Sequence, residues 1–355
     1  MNRWRRKGTE RHRTTYKRQQ KRLREEIRKA KLEHWIKSLE DIDTRNPWSM
    51  LRKRREGSTV PQLINTEGQQ VSEHKEKAEA LIKRLFPNQP DKDATLDHNP
   101  LGFTLLTKDE LGKIIKSIPD GKSPGSDGIP PRGIKVLFQV YPQIVLQILN
   151  ASLFLGKLPE YWKLSTGAVI RKARKPNYSD PKAYRVICLI PIISKLLEKV
   201  VTSRLYLIPD LIHDAQFGFR PEHSTEQAMV YLLEEIHSNW TQNKHTAAAF
   251  MDVEGAFDNM DHNTLIRTLE IGGVPPYLTT WISSFLSNRK LQLRFDGRTS
   301  TPHNNNSGAP QGSPLSPFLF AAYVTPFLWE LYANGHGNNI TYADDLVLTG
   351  AEHGL

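Results

Sequence analysis

The sequence predicts a mixed α and β fold with a partly antiparallel sheet. Three observations carry this. Apolar residues recur at helical spacing in "SKLLEKVVTSRL" (194–205) and "HSTEQAMVYLLEEIHSNW" (223–240). Short strand-like runs, "GAVIRKA", "KLQLRF" and "LVLTG", alternate with the helices. Asp296-Gly297 and Asp344-Asp345 supply tight turns between apolar runs.

The elements follow in order. Residues 14–40 lack Pro and Gly, and Leu23, Ile27, Leu32, Trp35, Ile36 and Leu39 sit at near-helical spacing, so a long, mostly exposed helix is expected there. Residues 1–56 form a basic helical arm and 57–106 a connector, with a short helix at "EKAEALIKRLF" and a loop at "PNQPDKDATLDHNP". "TKDELGKIIKSI" opens the next region as a helix, with Thr107 as N-cap and Glu110 as its capping-box partner. A Gly/Pro loop, "PDGKSPGSDGIPP", precedes one apolar helix over roughly 133–155. In 223–240, Ser224 caps the helix, with Gln227 as return partner, and Ala228, Leu232, Ile236 and Trp240 form its buried face.

A strand over about 246–252 then turns into a helix closed by Gly272 and Gly273. A further helix spans 277–287, and "KLQLRF" buries Leu291, Leu293 and Phe295 before the Asp296-Gly297 hairpin. Ser316 as N-cap and Pro317 at the first position start a helix to 330. "NITYA", "DD" and "LVLTG" read as strand, two-residue turn, strand.

Composition narrows the function classes. With 38% apolar residues, a folded globular chain is expected. The one cysteine, Cys188, excludes an internal disulfide, and no paired Cys/His spacing suggests zinc, so the chain reads as intracellular. The apolar stretch 317–329 falls short of the roughly 20 residues that span a bilayer. No membrane partner and no signal peptide are expected. Residues 1–56 hold 20 Lys/Arg against 8 Asp/Glu, a net +12, while the remainder holds 29 against 30. A cationic arm on a near-neutral body fits a polyanion partner, with a solvated, solubilising helix as the plainer account.

The candidate chemistry begins at "TYADDL". Adjacent carboxylates repel unless a cation sits beside them, and neighbouring strand residues face opposite ways, so Asp344 and Asp345 are not equivalent ligands. Asp252, ending the strand in "AAAFMDVEGAF", offers a second site-facing carboxylate. Three such aspartates make a hard-oxygen set suited to Mg²⁺, and paired ions serve phosphoryl transfer. Taken alone, an Asp-Asp tip is ordinary turn chemistry, and Asp252 alone could be a helix N-cap. "SGAPQGSPLSP" (307–317) shifts the balance, because its glycines permit close backbone approach and Gln311 adds hydrogen bonding without charge.

The ordered set "AFMDVEGAFDNMDH", "GAPQGSPLSP" and "TYADDL" resembles the palm of reverse transcriptases, most closely those of non-LTR (LINE-like) retrotransposons. "DGKSPGSDGIP", "YSDPKAYRVICLIPIISKLLEK" and "QFGFRPEHSTEQA" resemble the same family's fingers-side motifs, in the family's order. The resemblance implies a right-hand polymerase fold: fingers over 107–245, and over 246–355 a palm that stops short of the family's thumb. It implies an RNA-directed DNA polymerase using Mg²⁺ (or Mn²⁺), an RNA template, a DNA primer and dNTPs, working in the nucleus.

In residue terms, the resemblance makes Asp252 and Asp344 the principal metal ligands, Asp345 a less direct third, and the backbone carbonyl of Val253 a further ligand. Phe257 becomes the gate under the incoming sugar, Gln311 and Gly312 support the nascent base pair, and Lys182 and Arg185 grip the triphosphate. Arg171, Lys172, Arg174 and Lys175 form a nearby basic run that a solvated hairpin tip explains equally well. The chain departs from the family pattern at Val186, Cys188, Ala309, Glu222 and His223. Two other readings stand beside this one: an inactive retroelement remnant that only binds nucleic acid, and a mobile-intron maturase relative.

Overall fold

The computed structural model describes residues 59–86, 96–334 and 339–353, together with Arg22, Glu25 and Glu26. The predicted arm helix lies otherwise outside the described residues, as does the first part of the predicted 87–100 loop. The chain divides into two compact units, Met1–Gly57 and Ser58–Leu355.

The second unit opens with a small hairpin, β1 (Leu63–Ile64) and β2 (Gln70–Val71), and helix α1 (His74–Leu85). Helix α2 (Lys108–Ser117) starts as predicted, the Thr107 hydroxyl accepting from the Glu110 backbone N–H at 3.2 Å. Glu110 does not close the box; its carboxylate pairs with Arg204 at 3.5 Å.

The single helix expected over 133–155 is two, α3 (Pro131–Val140) and α4 (Pro142–Phe154), bent by 109° at Tyr141. Pro142 has no N–H to donate and disfavours helical backbone at the residue before it, so the first helix stops and a second starts on the proline. Among the described residues no single helix is long and apolar enough to cross a membrane.

Strands β3 (Leu164–Arg171) and β4 (Tyr184–Leu189) pair antiparallel, followed by helices α5 (Ile192–Leu205) and α6 (Thr225–Thr241). The Ser224 hydroxyl caps α6, accepting from the Gln227 N–H at 3.3 Å. Its buried face is shorter than predicted: Ala228 and Leu232 are buried and Ile236 is half-buried, but Trp240 is exposed. Next come β5 (Lys244–Asp252), α7 (His262–Ile271), α8 (Pro276–Leu286), β6 (Lys290–Phe295), β7 (Arg298–Thr299) and β8 (His303–Asn304). The β6–β7 turn is the predicted one, with Asp296 and Gly297 both at positive φ, the backbone a two-residue hairpin requires. Helix α9 (Ser316–Ala333), β9 (Asn339–Tyr342) and β10 (Asp345–His353) complete the unit.

Two sheets result. A five-stranded sheet runs β4-β3-β6-β7, with β8 also on β6; β3 and β6 are parallel, so it draws on both predicted polymerase regions. A three-stranded antiparallel sheet runs β5-β10-β9. The main core packs α2, α4, α5, α7, α8 and α9 around Leu149, Leu197, Trp281 and Phe318. A second core sets α1 against β4 and β6 through Leu81, Tyr184, Val186 and Leu293. The small sheet meets α6 in a small buried cluster, Ala228 and Leu232 of the helix with Ile340 of β9, and β5, at its edge, leaves Phe250 72% exposed.

Candidate active site

The hairpin β9–β10 meets the end of β5. The register pairs Asp345 with Asp252, and one step on the Val253 N–H donates to the Asp344 carbonyl at 3.2 Å. That bond makes Val253–Asp344 the hydrogen-bonded pair and Asp252–Asp345 the closer, non-hydrogen-bonded pair, with Cα atoms about 4.5 Å apart and side chains on one face. The aspartates thus gather at one sheet end. The sequence reading paired Asp252 first with Asp344; the ladder sets Asp345 directly opposite it.

The turn lies one residue earlier than predicted, at Ala343-Asp344, with β10 resuming at Asp345. Ala343 takes the left-handed backbone (φ 61°) that this turn needs. Gln216, fully buried, makes this possible: its Oε1 accepts from the Ala343 N–H at 2.9 Å and its Nε2 donates to the Ala343 carbonyl at 3.2 Å.

The loop 307–317 closes over the turn that follows Asp252. The Ala309 N–H donates to the Phe257 carbonyl at 2.8 Å, and the Gln311 side-chain amide donates to Asp258 at 2.9 Å. The Gln311 carbonyl accepts from the Cys188 N–H at 2.6 Å, which ties the loop to β4. A Cβ on Gly312 would lie 2.5 Å from the Cys188 carbonyl oxygen, so only glycine fits there. Phe257 packs between Phe219, 6.0 Å away, and Phe320 of α9, 5.4 Å away. The helix start is also displaced: Ser313, not Ser316, caps α9, its hydroxyl accepting from the Leu315 and Ser316 N–H groups.

The predicted phosphate cations sit on the β4 side. Lys182 is paired with Glu254, two residues beyond Asp252, at 3.2 Å. Arg185 is exposed on β4 opposite Ile170. Of the basic run, Arg171 is engaged by the Thr59 carbonyl and the Tyr178 ring. Burial lowers the Lys172 pKa, Arg185 acts in the same direction, and Asp258 opposes them.

Three polar groups that sequence reasoning missed hold these loops, Asp258 half-buried and Arg289 and Glu198 buried. Burial pushes the Asp258 carboxyl up to about 6, against Gln311, Arg289 and Lys172. Arg289, 5% exposed, donates to the Ser307 and Gly308 carbonyls at 2.7 Å, and burial draws its guanidinium down to about 10. Glu198, fully buried, accepts from Ser194 at 2.8 Å and Ser313 at 2.5 Å; burial raises its pKa while the two hydroxyls act against that. A lone charge inside a helix, as at Glu198, or between helix and strand, as at Arg289, reads as a solvated face. Only Asp258, six residues beyond Asp252 in "DVEGAFDN", lay close enough to a motif to be found.

For a metal, the donor chemistry fits: Asp252, Asp344 and Asp345 are hard-oxygen groups whose side chains have no hydrogen bond or ion pair among the described residues. Among those residues no three such side chains are gathered into a ready-made cation cage.

Comparison with known proteins gives the family context. The family described as reverse transcriptase (RNA-dependent DNA polymerase) matches residues 170–353. The chain is 32% identical over 276 residues to a probable RNA-directed DNA polymerase from transposon BS of Drosophila melanogaster, covering 74% of this chain and 30% of that protein. It is 30% identical over 244 residues to the corresponding protein of transposon X-element from the same organism, covering 68% and 27%. The RNA-directed DNA polymerase from mobile element jockey, also of Drosophila melanogaster, is 29% identical over 228 residues, covering 63% and 25%. The matches thus span about a quarter to a third of these relatives' length.

Proposed function

The chain belongs to the reverse transcriptase (RNA-dependent DNA polymerase) family, and from that premise we propose that it is the polymerase domain of a LINE-like retroelement, extending a DNA primer on an RNA template in the nucleus. Reverse transcriptases use divalent metal ions; the ion here is Mg²⁺, with Mn²⁺ as substitute. When bound, paired ions activate the attacking oxygen and stabilise the leaving one.

This chain's residues do the rest. Asp252, Asp344 and Asp345 would hold the ions, with the Val253 carbonyl as a further oxygen. Lys182 and Arg185 neutralise the triphosphate of the dNTP, Arg185 as a fork and Lys182 as a point charge once it leaves Glu254. Phe257, backed by Phe219 and Phe320, closes the floor under the sugar. Gln311 and Gly312 support the new base pair on a loop fixed at Asp258 and Cys188. The fingers are residues 107–245 and the palm 246–355. The observation that carries the reading is the pairing of Asp345 with Asp252 beside the Val253–Asp344 hydrogen bond.

The test is primer extension by the full chain on primed RNA with Mg²⁺ and dNTPs. Extension is expected in the wild type and absent in Asp344→Ala. Equal extension by both refutes the site. RNA binding with no extension by either favours a protein that only holds nucleic acid.

A further inference from the structure

The motif "QFGF" (216–219) has no role in the chemistry proposed above, yet its backbone and side chains touch both halves of the site. Gln216 is a polar side chain with no exposed surface. Burying a carboxamide is costly unless its hydrogen bonds are made, and here three are. Its Oε1 accepts from the N–H groups of Ala343 at 2.9 Å and Gly218 at 2.8 Å, and its Nε2 donates to the Ala343 carbonyl at 3.2 Å. One side chain therefore satisfies both backbone polar groups of Ala343, the left-handed residue of the turn.

The contact is built from both sides. The Phe217 N–H donates to the Thr341 carbonyl and the Thr341 N–H to the Ala215 carbonyl, each at 2.8 Å, which lays this loop alongside β9. A Cβ on Gly218 would stand 2.2 Å from the Ala343 nitrogen, so the loop touches the turn with bare backbone. Phe219 then edges against Phe257, with its carbonyl held by the Tyr206 hydroxyl.

Asp344 and Asp345 have no side-chain partner among the described residues. Their direction is set by the backbone of the turn, and Gln216 grips that backbone from inside. We infer that Gln216 is a positioning residue: its carboxamide clamps the Ala343–Asp344 turn so that the two aspartates meet Asp252 in one orientation around a divalent cation. This rests on the metal reading of the previous section. Partners that orient metal ligands contribute about 10- to 100-fold in metal affinity, and that is the effect expected here.

The experiment uses the full chain and two readouts that do not depend on turnover. Mn²⁺ binding is titrated by water-proton relaxation for the wild type, Asp344→Ala, Gln216→Met and Gln216→Glu. Hydrogen exchange is followed in the peptide covering Ala343. Gln216→Met keeps the length and loses all three hydrogen bonds. Gln216→Glu keeps both acceptor contacts but sets a buried carboxylate oxygen against the Ala343 carbonyl, so it is expected to loosen the turn at least as much as Gln216→Met. Gly218→Ala presses on the same contact without altering Gln216, and stands in if Gln216→Met does not fold.

Expected are Mn²⁺ binding weakened about 10- to 100-fold in Gln216→Met, faster exchange of the turn peptide, and an unchanged melting temperature for Asp344→Ala. A folded Gln216→Met that binds Mn²⁺ like the wild type, or whose turn exchanges no faster, overturns the inference. Wild-type Mn²⁺ binding that ignores Asp344→Ala sinks the metal reading and the positioning role with it, while the exchange result still decides whether Gln216 holds the turn.

Discussion

Replacing Gly308 by alanine tests whether the 307–317 loop is docked as tightly as its backbone contacts imply. Gly308 has φ +51°, and a Cβ there would sit 2.0 Å from the Phe257 carbonyl oxygen, 2.6 Å from the Asp258 carbonyl carbon and 2.7 Å from the Asp258 Cα. All three are backbone atoms, so no side chain can turn aside. Left-handed backbone costs an alanine roughly 1–2 kcal/mol. Forcing a methyl into a packed contact costs about 1–3 kcal/mol. The displaced loop also loses the Ala309–Phe257 hydrogen bond of 2.8 Å, worth about 1 kcal/mol. Together these come to about 3–6 kcal/mol, and at about 2–4 °C per kcal/mol the melting temperature should fall by roughly 6–24 °C. Gly297 is the control: it too has positive φ (+71°), but nothing lies within 4 Å of its Cβ position. Gly297→Ala should therefore lose only the backbone contribution, about 1–2 kcal/mol. Calorimetry on the full chain reads both. Equal shifts for the two variants would refute the docking argument, since strain would then explain everything and contact nothing.

Two further outcomes follow. The folded-state pKa of Asp258, about 6, lies above the ordinary 3.8. The native state therefore binds more protons between those values, and the contribution to stability is full below about 4 and lost as pH rises through 6. The difference is about 3 kcal/mol at 1.36 kcal/mol per pKa unit. Asp258→Asn, which keeps an acceptor for Gln311, should flatten that limb in urea unfolding at pH 4.5 and 7; an unchanged slope would exclude Asp258 as its source. Deleting residues 1–56, which hold 20 of the 49 Lys/Arg, should reduce the steepness with which salt weakens RNA binding, since each phosphate contact to a single strand adds about 0.7 to the log–log slope. An identical slope in the deletion would exclude the arm from the interface.

What the sequence carried was local. The Asp296-Gly297 turn, the Ser224 cap and the Gly273 helix end each depend on a few adjacent residues, and each formed where expected. What it hid was decided by distance. Ala343 takes the left-handed turn position only because Gln216, 127 residues earlier, supplies its hydrogen bonds; with no sight of that, the turn falls one residue later, on the aspartates. Trp240 has the right spacing for a buried face, yet at the end of its helix it lies exposed. The bend at Tyr141 is different: Pro142 announces it, and apolar periodicity on both sides masked the signal.

The same division separates what keeps the protein folded from what shapes the site. The large apolar cluster lies among the helices, around groups such as Trp281 and Phe318. The sheet bearing the aspartates has little apolar support, a cluster of three buried residues (Ala228, Leu232 and Ile340) and an exposed edge strand. Each loop around it is instead tied to the body by a polar group: buried Gln216 at the turn, buried Arg289 at Ser307 and Gly308, buried Glu198 at Ser313, and half-buried Asp258 at Gln311. Hydrogen bonds are directional where apolar contact is not, so they fix loop orientation rather than only burying surface. Removing one such group leaves its partners unsatisfied in a low-dielectric interior, at about 1–3 kcal/mol each. That is small against the helical core and large against a turn whose carboxylates are otherwise unheld. Substitution at these four positions should therefore disturb the site before it unfolds the chain.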